Sequence, residues 1–240
     1  MAARLLLIED DASIARFVEL ALEELPGHDA AAPAVELHVV RSLAGARQAL
    51  VEGGWQLVVS DLMLPDGSAE TLLAEGFALA DGAPPWVVFS AGLHETRQAA
   101  LEARGVARTL RKPVPLVELL DTVAELLPGG TPAATAAAVA DDPVQRHFGG
   151  DRALFESFRD GCIARFTDDL AQGDAAVAGA DAAALRRVAH GLKAVLELIG
   201  HPGLADQARA IEDAAALGQT GTGWADLAQG LVSLGARRGV

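Results

Sequence analysis

Five short apolar runs, each followed by a stretch with helical spacing, limit what this chain can fold into. The runs are Leu5–Ile8, Val35–Val40, Leu57–Ser60, Trp86–Ser90 and, more weakly, Val106–Leu110. They are rich in Val, Leu and Ile and bounded by turn residues or acids, as strands buried on both faces of a sheet are. Helical patterns follow at Ser13–Leu25, Leu43–Glu52, Ser68–Ala80, Glu95–Arg104 and Pro115–Leu127. Ser13 is placed to cap the first of these, and Pro115 suits the first turn of the last. Five β–α repeats predict an α/β doubly wound, five-stranded parallel sheet over residues 1–127.

The alternation stops at Pro128–Asp142, whose glycines, prolines and alanines (PGGTPAATAAAVADD) offer a core very little. The composition predicts a linker over 128–142, able to span roughly 50 Å when extended. Residues 143–240 contain no strand pattern. Helical stretches read as a short Pro143–Phe148, then Arg152–Gln172, Asp181–Ile199, Leu204–Leu217 and Trp224–Leu234, with glycines between them. Asp181 is placed as a cap. Four longer helices joined by short loops predict an all-α four-helix bundle.

Charge narrows the function. There are 33 acidic residues against 19 basic ones, a formal net charge of −14, which argues against a phosphate-backbone binder. No apolar run reaches the ~18–20 residues of a membrane span, and the N-terminal apolar stretch is too short for a secretory signal. The single cysteine, Cys162, makes neither an internal disulfide nor a CxxC site, and a buried, inert thiol is expected. The expectation is a cytoplasmic protein that binds neither membrane nor nucleic acid. Arginine supplies all the basic residues but two. The exceptions are Lys112 and Lys193, and tyrosine is absent.

In an open parallel sheet, ligands bind beyond the carboxyl ends of the strands. That rule gathers Glu9, Asp10 and Asp11 after the first strand, Asp61 after the third, Ser90 after the fourth, and Lys112-Pro113 after the fifth. Crowded carboxylates repel one another unless a cation sits among them, and hard oxygen donors suit Mg²⁺. A lysine and a hydroxyl nearby can hold the oxygens of a phosphoryl group. The stretches IEDD, SDLMLPDG, VVFSAG and RKPV resemble, in order and spacing, those of two-component response-regulator receiver domains, which have a flavodoxin-like fold. The resemblance implies that Asp61 accepts a phosphoryl group from a phosphohistidine. It implies Mg²⁺ held by Glu9, Asp10, Asp61 and the Met63 backbone carbonyl. Ser90 would contact the phosphoryl group, Lys112 would pair with it, and the bond before Pro113 would be cis. One position departs from the pattern: Thr109 stands where receivers carry the Tyr or Phe of their rotamer switch. Rival chemistry fits less well. An aspartate-nucleophile hydrolase would want an acid where Met63 stands, and no phosphate-binding loop ending in GK[ST] occurs.

The histidines show no compact metal-ligand spacing, and surface or capping roles are the default for His28, His38, His94, His147 and His201. His190 differs. An apolar stripe through Leu185, Val188, Ala189, Leu192, Leu196 and Ile199 leaves it on the opposite face, expected to be exposed, with Arg186, Lys193 and Glu197 beside it. Small Ala194 would leave room for a partner, and Leu198 off the stripe suggests a docking patch. RRVAHGLKAVLELIG followed by LADQARAIEDA resembles the histidine-phosphotransfer domain, whose core is A-H-x-L-K. That implies a phosphohistidine at His190 with Lys193 as its electrostatic helper. Ala194-Val195 departs from the Gly-Ser often found there.

Together the resemblances imply a phosphorelay signalling protein, a phosphoryl carrier rather than an enzyme. Its partners would be a sensor histidine kinase and another receiver. The alternative keeps the receiver and makes the bundle a docking or dimerisation module.

Overall fold

The computed structural model describes residues 2–90, 95–128 and 142–236. The chain divides into two compact units, Met1–Val139 and Ala140–Val240. The linker reading over 128–142 falls almost wholly on residues 129–141, outside the described residues, as does His94.

The first unit has a five-stranded parallel sheet built from β1 (Ala3–Ile8), β2 (Val35–Val40), β3 (Leu57–Asp61), β6 (Trp86–Ser90) and β7 (Val106–Arg111). Its strand order, β2-β1-β3-β6-β7, is the flavodoxin-like doubly wound order. β3 and β6 are buried along their whole length, which is why they read as unbroken apolar runs. Side chains alternate across the sheet. Leu6, Ile8, Val58, Trp86 and Val88 share one core with Leu43 and Ala46 of α2 (Leu43–Glu52), Leu72 and Leu73 of α3 (Glu70–Ala74) and Leu101 of α4 (Glu95–Glu102). The residues between them, Leu5, Leu7, Val59, Val87 and Phe89, take the opposite face. α1 (Ala12–His28) and α5 (Leu116–Leu126) pack against each other. On α5, Leu116, Leu119, Leu120 and Val123 form one buried stripe, and burying each such side chain contributes about 2 kcal/mol.

Two local expectations are corrected. The cap of α1 is Asp11, whose carboxylate accepts from Ser13 N and Ile14 N at 2.7 and 3.0 Å; Ser13 itself is buried in the first turn. The helix expected over Ser68–Ala80 shortens to Glu70–Ala74. Gly76 at φ +88° follows its end, residues 75–79 run on as turns, and just before it a small antiparallel hairpin pairs β4 (Met63–Leu64) with β5 (Gly67–Ser68).

The second unit is helical among its described residues: α6 (Pro143–Phe148), α7 (Arg152–Ala178), α8 (Ala182–Leu198), α9 (Pro202–Ala216) and α10 (Trp224–Ala236). Asp142, Asp151 and Asp181 cap α6, α7 and α8 through side-chain oxygens. α8 packs against α7 and α9, and α10 packs against α7 and α9, so these four helices close a ring. Gly173 makes the α7–α10 contact possible. A Cβ there would lie 1.9 Å from the Trp224 ring, whose Nε1 donates to Asp174 Oδ1 at 2.8 Å. Cys162 is buried. Among the described residues, no helix is long and apolar enough to cross a membrane.

Candidate functional site

The acidic residues predicted from the sheet rule do converge. Glu9 follows β1, Asp61 ends β3, and β1 and β3 are neighbours where the strand order reverses. Lys112 follows β7 and reaches across this edge. Its ammonium donates to Glu9 Oε2 at 2.7 Å and to Asp61 Oδ2 at 2.9 Å. All three side chains are nearly inaccessible, at 4%, 1% and 3% for Lys112, Glu9 and Asp61. Asp61 Oδ1 faces the other way and accepts from the amides of Leu62 and Met63, at 2.6 and 3.3 Å. Asp10 is half-buried, and one carboxylate oxygen from each of Glu9, Asp10 and Asp61 lies within 4.8 Å of the others.

Electrostatics follows from this crowding. Burial pushes the Glu9 carboxyl up to about 8, with Asp61 and Asp11 adding to the rise and Lys112 opposing it. Burial also raises Asp10, again with help from Asp61 and Asp11. Burial alone would lower Lys112, but the charges of Asp61 and Glu9 overrule it and keep the ammonium protonated well above its usual range. One ammonium among three carboxylates leaves a net negative cluster of hard oxygens, which is the donor chemistry of a magnesium site. The residues therefore fit a divalent cation, with Glu9, Asp10 and Asp61 as the ligands at hand.

Ser90 closes β6 at the same edge, is buried, and its carbonyl accepts from the Lys112 amide at 3.1 Å. The Lys112–Pro113 peptide is cis. Met63 lies two residues past Asp61, on β4. Thr109 is half-buried on β7, opposite Val88.

In the second unit His190 and Lys193 lie on α8, and the structure adds a third group that the sequence reading lacked. Glu212 on α9 accepts from His190 Nδ1 at 2.8 Å and from Lys193 Nζ at 2.5 Å. Burial alone would raise Glu212, but the hydrogen bonds and charges of His190 and Lys193 prevail and lower it to about 2. A carboxylate on Nδ1 takes that nitrogen's proton as its hydrogen bond, so the neutral ring carries its lone pair at Nε2. The sequence carried a signal for Glu212. On α9 the buried stripe runs through Ala205, Ala208, Ile211 and Ala215, and Glu212 sits at its edge, next to Ile211.

The exposure expected for this face is corrected. The His190 side chain is only 15% accessible, and Lys193, Ala194, Val195 and Leu198 are buried. A helix packed on both α7 and α9 buries two flanks rather than one stripe, so a single stripe underestimates what is covered. Glu197 is paired with Arg209 at 2.7 Å. The default surface role for His147 also fails: it is 6% accessible, and burial, with Arg146 nearby, lowers it to about 4.

No family model matches the chain, and neither does any curated protein. Solved structures do resemble about half of it. The signal receiver domain of a Luxo repressor protein from Vibrio parahaemolyticus is 24% identical, covering 52% of this chain and 88% of that one, with a TM-score of 0.46. The chemotaxis response regulator CheY4 of Vibrio cholerae is 17% identical, covering 53% and 100%, also at 0.46. A two-component response regulator from Clostridium difficile is 18% identical, covering 52% and 94%, at 0.44. At such identities and TM-scores, these likenesses assign no family and transfer no site residue.

Proposed function

We propose that the chain is a phosphorelay signalling protein in which Asp61 accepts a phosphoryl group from a partner's phosphohistidine and His190 carries one in turn. The observation that supports this most is the Asp61 carboxylate, shared between the Lys112 ammonium and a cluster of oxygens fit for a divalent cation. In the transfer an Asp61 oxygen attacks phosphorus, a P–O bond forms, the P–N bond to the donor imidazole breaks, and that nitrogen keeps the electron pair and takes up a proton. A bound Mg²⁺ would supply neutralisation of charge on the phosphoryl oxygens. Lys112 holds Asp61 in place and presents a second positive charge, and Ser90 offers its hydroxyl at the same edge.

On the second unit, Glu212 fixes the histidine tautomer so that Nε2 is the attacking nitrogen, while Lys193 offsets incoming negative charge. His190 would exchange its group with an aspartate of a receiver, so the partners are a sensor histidine kinase and a second receiver. The protein acts as a carrier, not a turnover enzyme.

The test is labelling of the whole chain, by an acyl phosphate for the aspartate and by a phosphorylated receiver for the histidine, both with Mg²⁺. Asp61→Asn should remove the base-labile acyl phosphate, and His190→Gln the acid-labile phosphohistidine. Labelling that survives both substitutions would overturn the proposal. Silence of His190→Gln alone would leave the bundle as a docking module.

A further inference from the structure

Asp10 and Met63 sit on two separate connections, and both are tied to one corner of the fold. Asp10 lies in the β1–α1 loop, and its backbone carbonyl accepts from Arg41 Nη1 at 2.9 Å. Arg41 directly follows β2, whose last residue, Val40, also accepts from the Glu9 amide at 3.0 Å. Met63 lies on the β4–β5 hairpin, and the turn of that hairpin carries Asp66. Both Asp66 oxygens are used: Oδ1 accepts from Leu43 N at 2.7 Å and Oδ2 from Ala44 N at 3.1 Å. A neighbouring feature makes the same contact tighter. Gly67 has φ +141°, and a Cβ there would lie 2.9 Å from Leu43 Cδ1, so the hairpin turn and the start of α2 meet without room for a side chain. Ser42, the N-cap of α2, accepts from Gly45 N at 3.1 Å, so Asp66 shares the first turn of α2 with it and ties that turn to the hairpin. Further along, Arg47 of α2 donates two hydrogen bonds to Glu75, beyond α3, at 2.9 and 2.7 Å.

We propose that the β2–α2 corner, Arg41 to Ala44, is a brace that fixes the spacing of the Asp10 and Met63 loops, with Arg41 and Asp66 as positioning residues for the divalent cation. The inference rests on the reading of Glu9, Asp10 and Asp61 as a cation site. Arg41 and Asp66 bond to the Asp10 carbonyl and to the Leu43 and Ala44 amides, outside the Glu9, Asp10 and Asp61 cluster. They act on the cation through the loops, as outer partners of metal ligands do, and loss of such partners typically weakens metal binding about 10- to 100-fold.

Calorimetric titration of the full chain with MgCl₂ tests this, comparing wild type with Asp66→Ala, Asp66→Asn and Arg41→Gln. Asp66→Ala should weaken binding about tenfold, and Asp66→Asn, which keeps one acceptor, by clearly less. Arg41→Gln gives the sharper test. Removing a positive charge beside an acidic pocket should strengthen Mg²⁺ binding on Coulomb grounds, whereas loss of a brace should weaken it. Arg41 is exposed at the surface, so this variant does not put folding at risk. In wild type, Mg²⁺ should also slow hydrogen exchange at the Leu43 and Ala44 amides. Equal loss in Asp66→Ala and Asp66→Asn, or unchanged or tighter binding in Arg41→Gln, overturns the brace. Failure of wild type to bind Mg²⁺ overturns the cation site itself.

Discussion

The two candidate sites use the same kinds of group in inverted proportion. In the first unit one ammonium, Lys112, is shared by two carboxylates, Glu9 and Asp61, with Asp10 close by. In the second, one carboxylate, Glu212, is shared by an imidazole and an ammonium. The first arrangement has an excess of negative charge and therefore an appetite for a cation. The second balances within itself and has no call for one. The same difference shows in where burial wins: it raises Glu9 to about 8, while Glu212 falls to about 2 because its partners outweigh burial.

The largest expected effect comes from removing the shared ammonium. Lys112→Met should cost the first unit about 3 kcal/mol at pH 8, because breaking a buried ion pair leaves charge uncompensated. Added Mg²⁺ should recover part of that loss, and urea unfolding with and without the cation measures both. Next in size, Mg²⁺ at about 100 times its Kd should stabilise the wild-type first unit by about 2.7 kcal/mol and leave the second unchanged, which calorimetry of the full chain resolves. Equal shifts in both transitions would break the comparison. Replacing the shared carboxylate should be milder. Glu212→Leu should cost the second unit about 1–2 kcal/mol, since the imidazole can stay neutral and Lys193 keeps some access to water. In that variant, the NMR signature of the His190 ring should shift away from the Nε2 lone-pair tautomer. If Glu212→Leu costs more than Lys112→Met, the contrast between an unbalanced and a balanced cluster fails.

The smallest effects are in pH. Glu212 has a folded value below its ordinary 4.5, so its stabilisation is complete above that pH and is lost as the pH falls towards about 2. His147, lowered from 6.5 to about 4, favours the folded second unit above pH 6.5 and gives that up as the pH falls through the window to 4. Acid titration of helix content should therefore lose its upper phase in His147→Phe and its lower phase in Glu212→Gln.

Much of the first site was legible because a parallel sheet brings strand ends together whatever their distance in sequence. Glu9, Asp61 and Lys112 needed only five strands placed in the right order. What the sheet rule does not govern was misread. The apolar spacing over Ser68–Ala80 fits a helix of about three turns, but the helix stops at Ala74, with Gly76 at φ +88° and turns after it. The second site was half legible. The i, i+3 relation of His190 and Lys193 lies within one helix, whereas the stripe of α9 puts Glu212 at the edge of a buried face without saying which helix it meets. His190 was read as open for the same reason, since one helix's periodicity does not reveal how many neighbours cover it.

The attachment of α4 has a consequence of a different kind. Leu101 is the buried residue of this helix, and two arginines on or just after it, Arg97 and Arg104, hold a single acid, Glu70 of α3, at 2.7 and 3.3 Å. A helix moored by half-exposed charges instead of by grease is an ionic-strength device. Dissolved salt shortens the reach of such charges from about 10 Å at 0.1 M to about 3 Å at 1 M. Amide exchange in α4 should therefore quicken as salt rises while that of β3, buried along its length, stays put. The face this unit offers to other molecules is thus set partly by the solution around it.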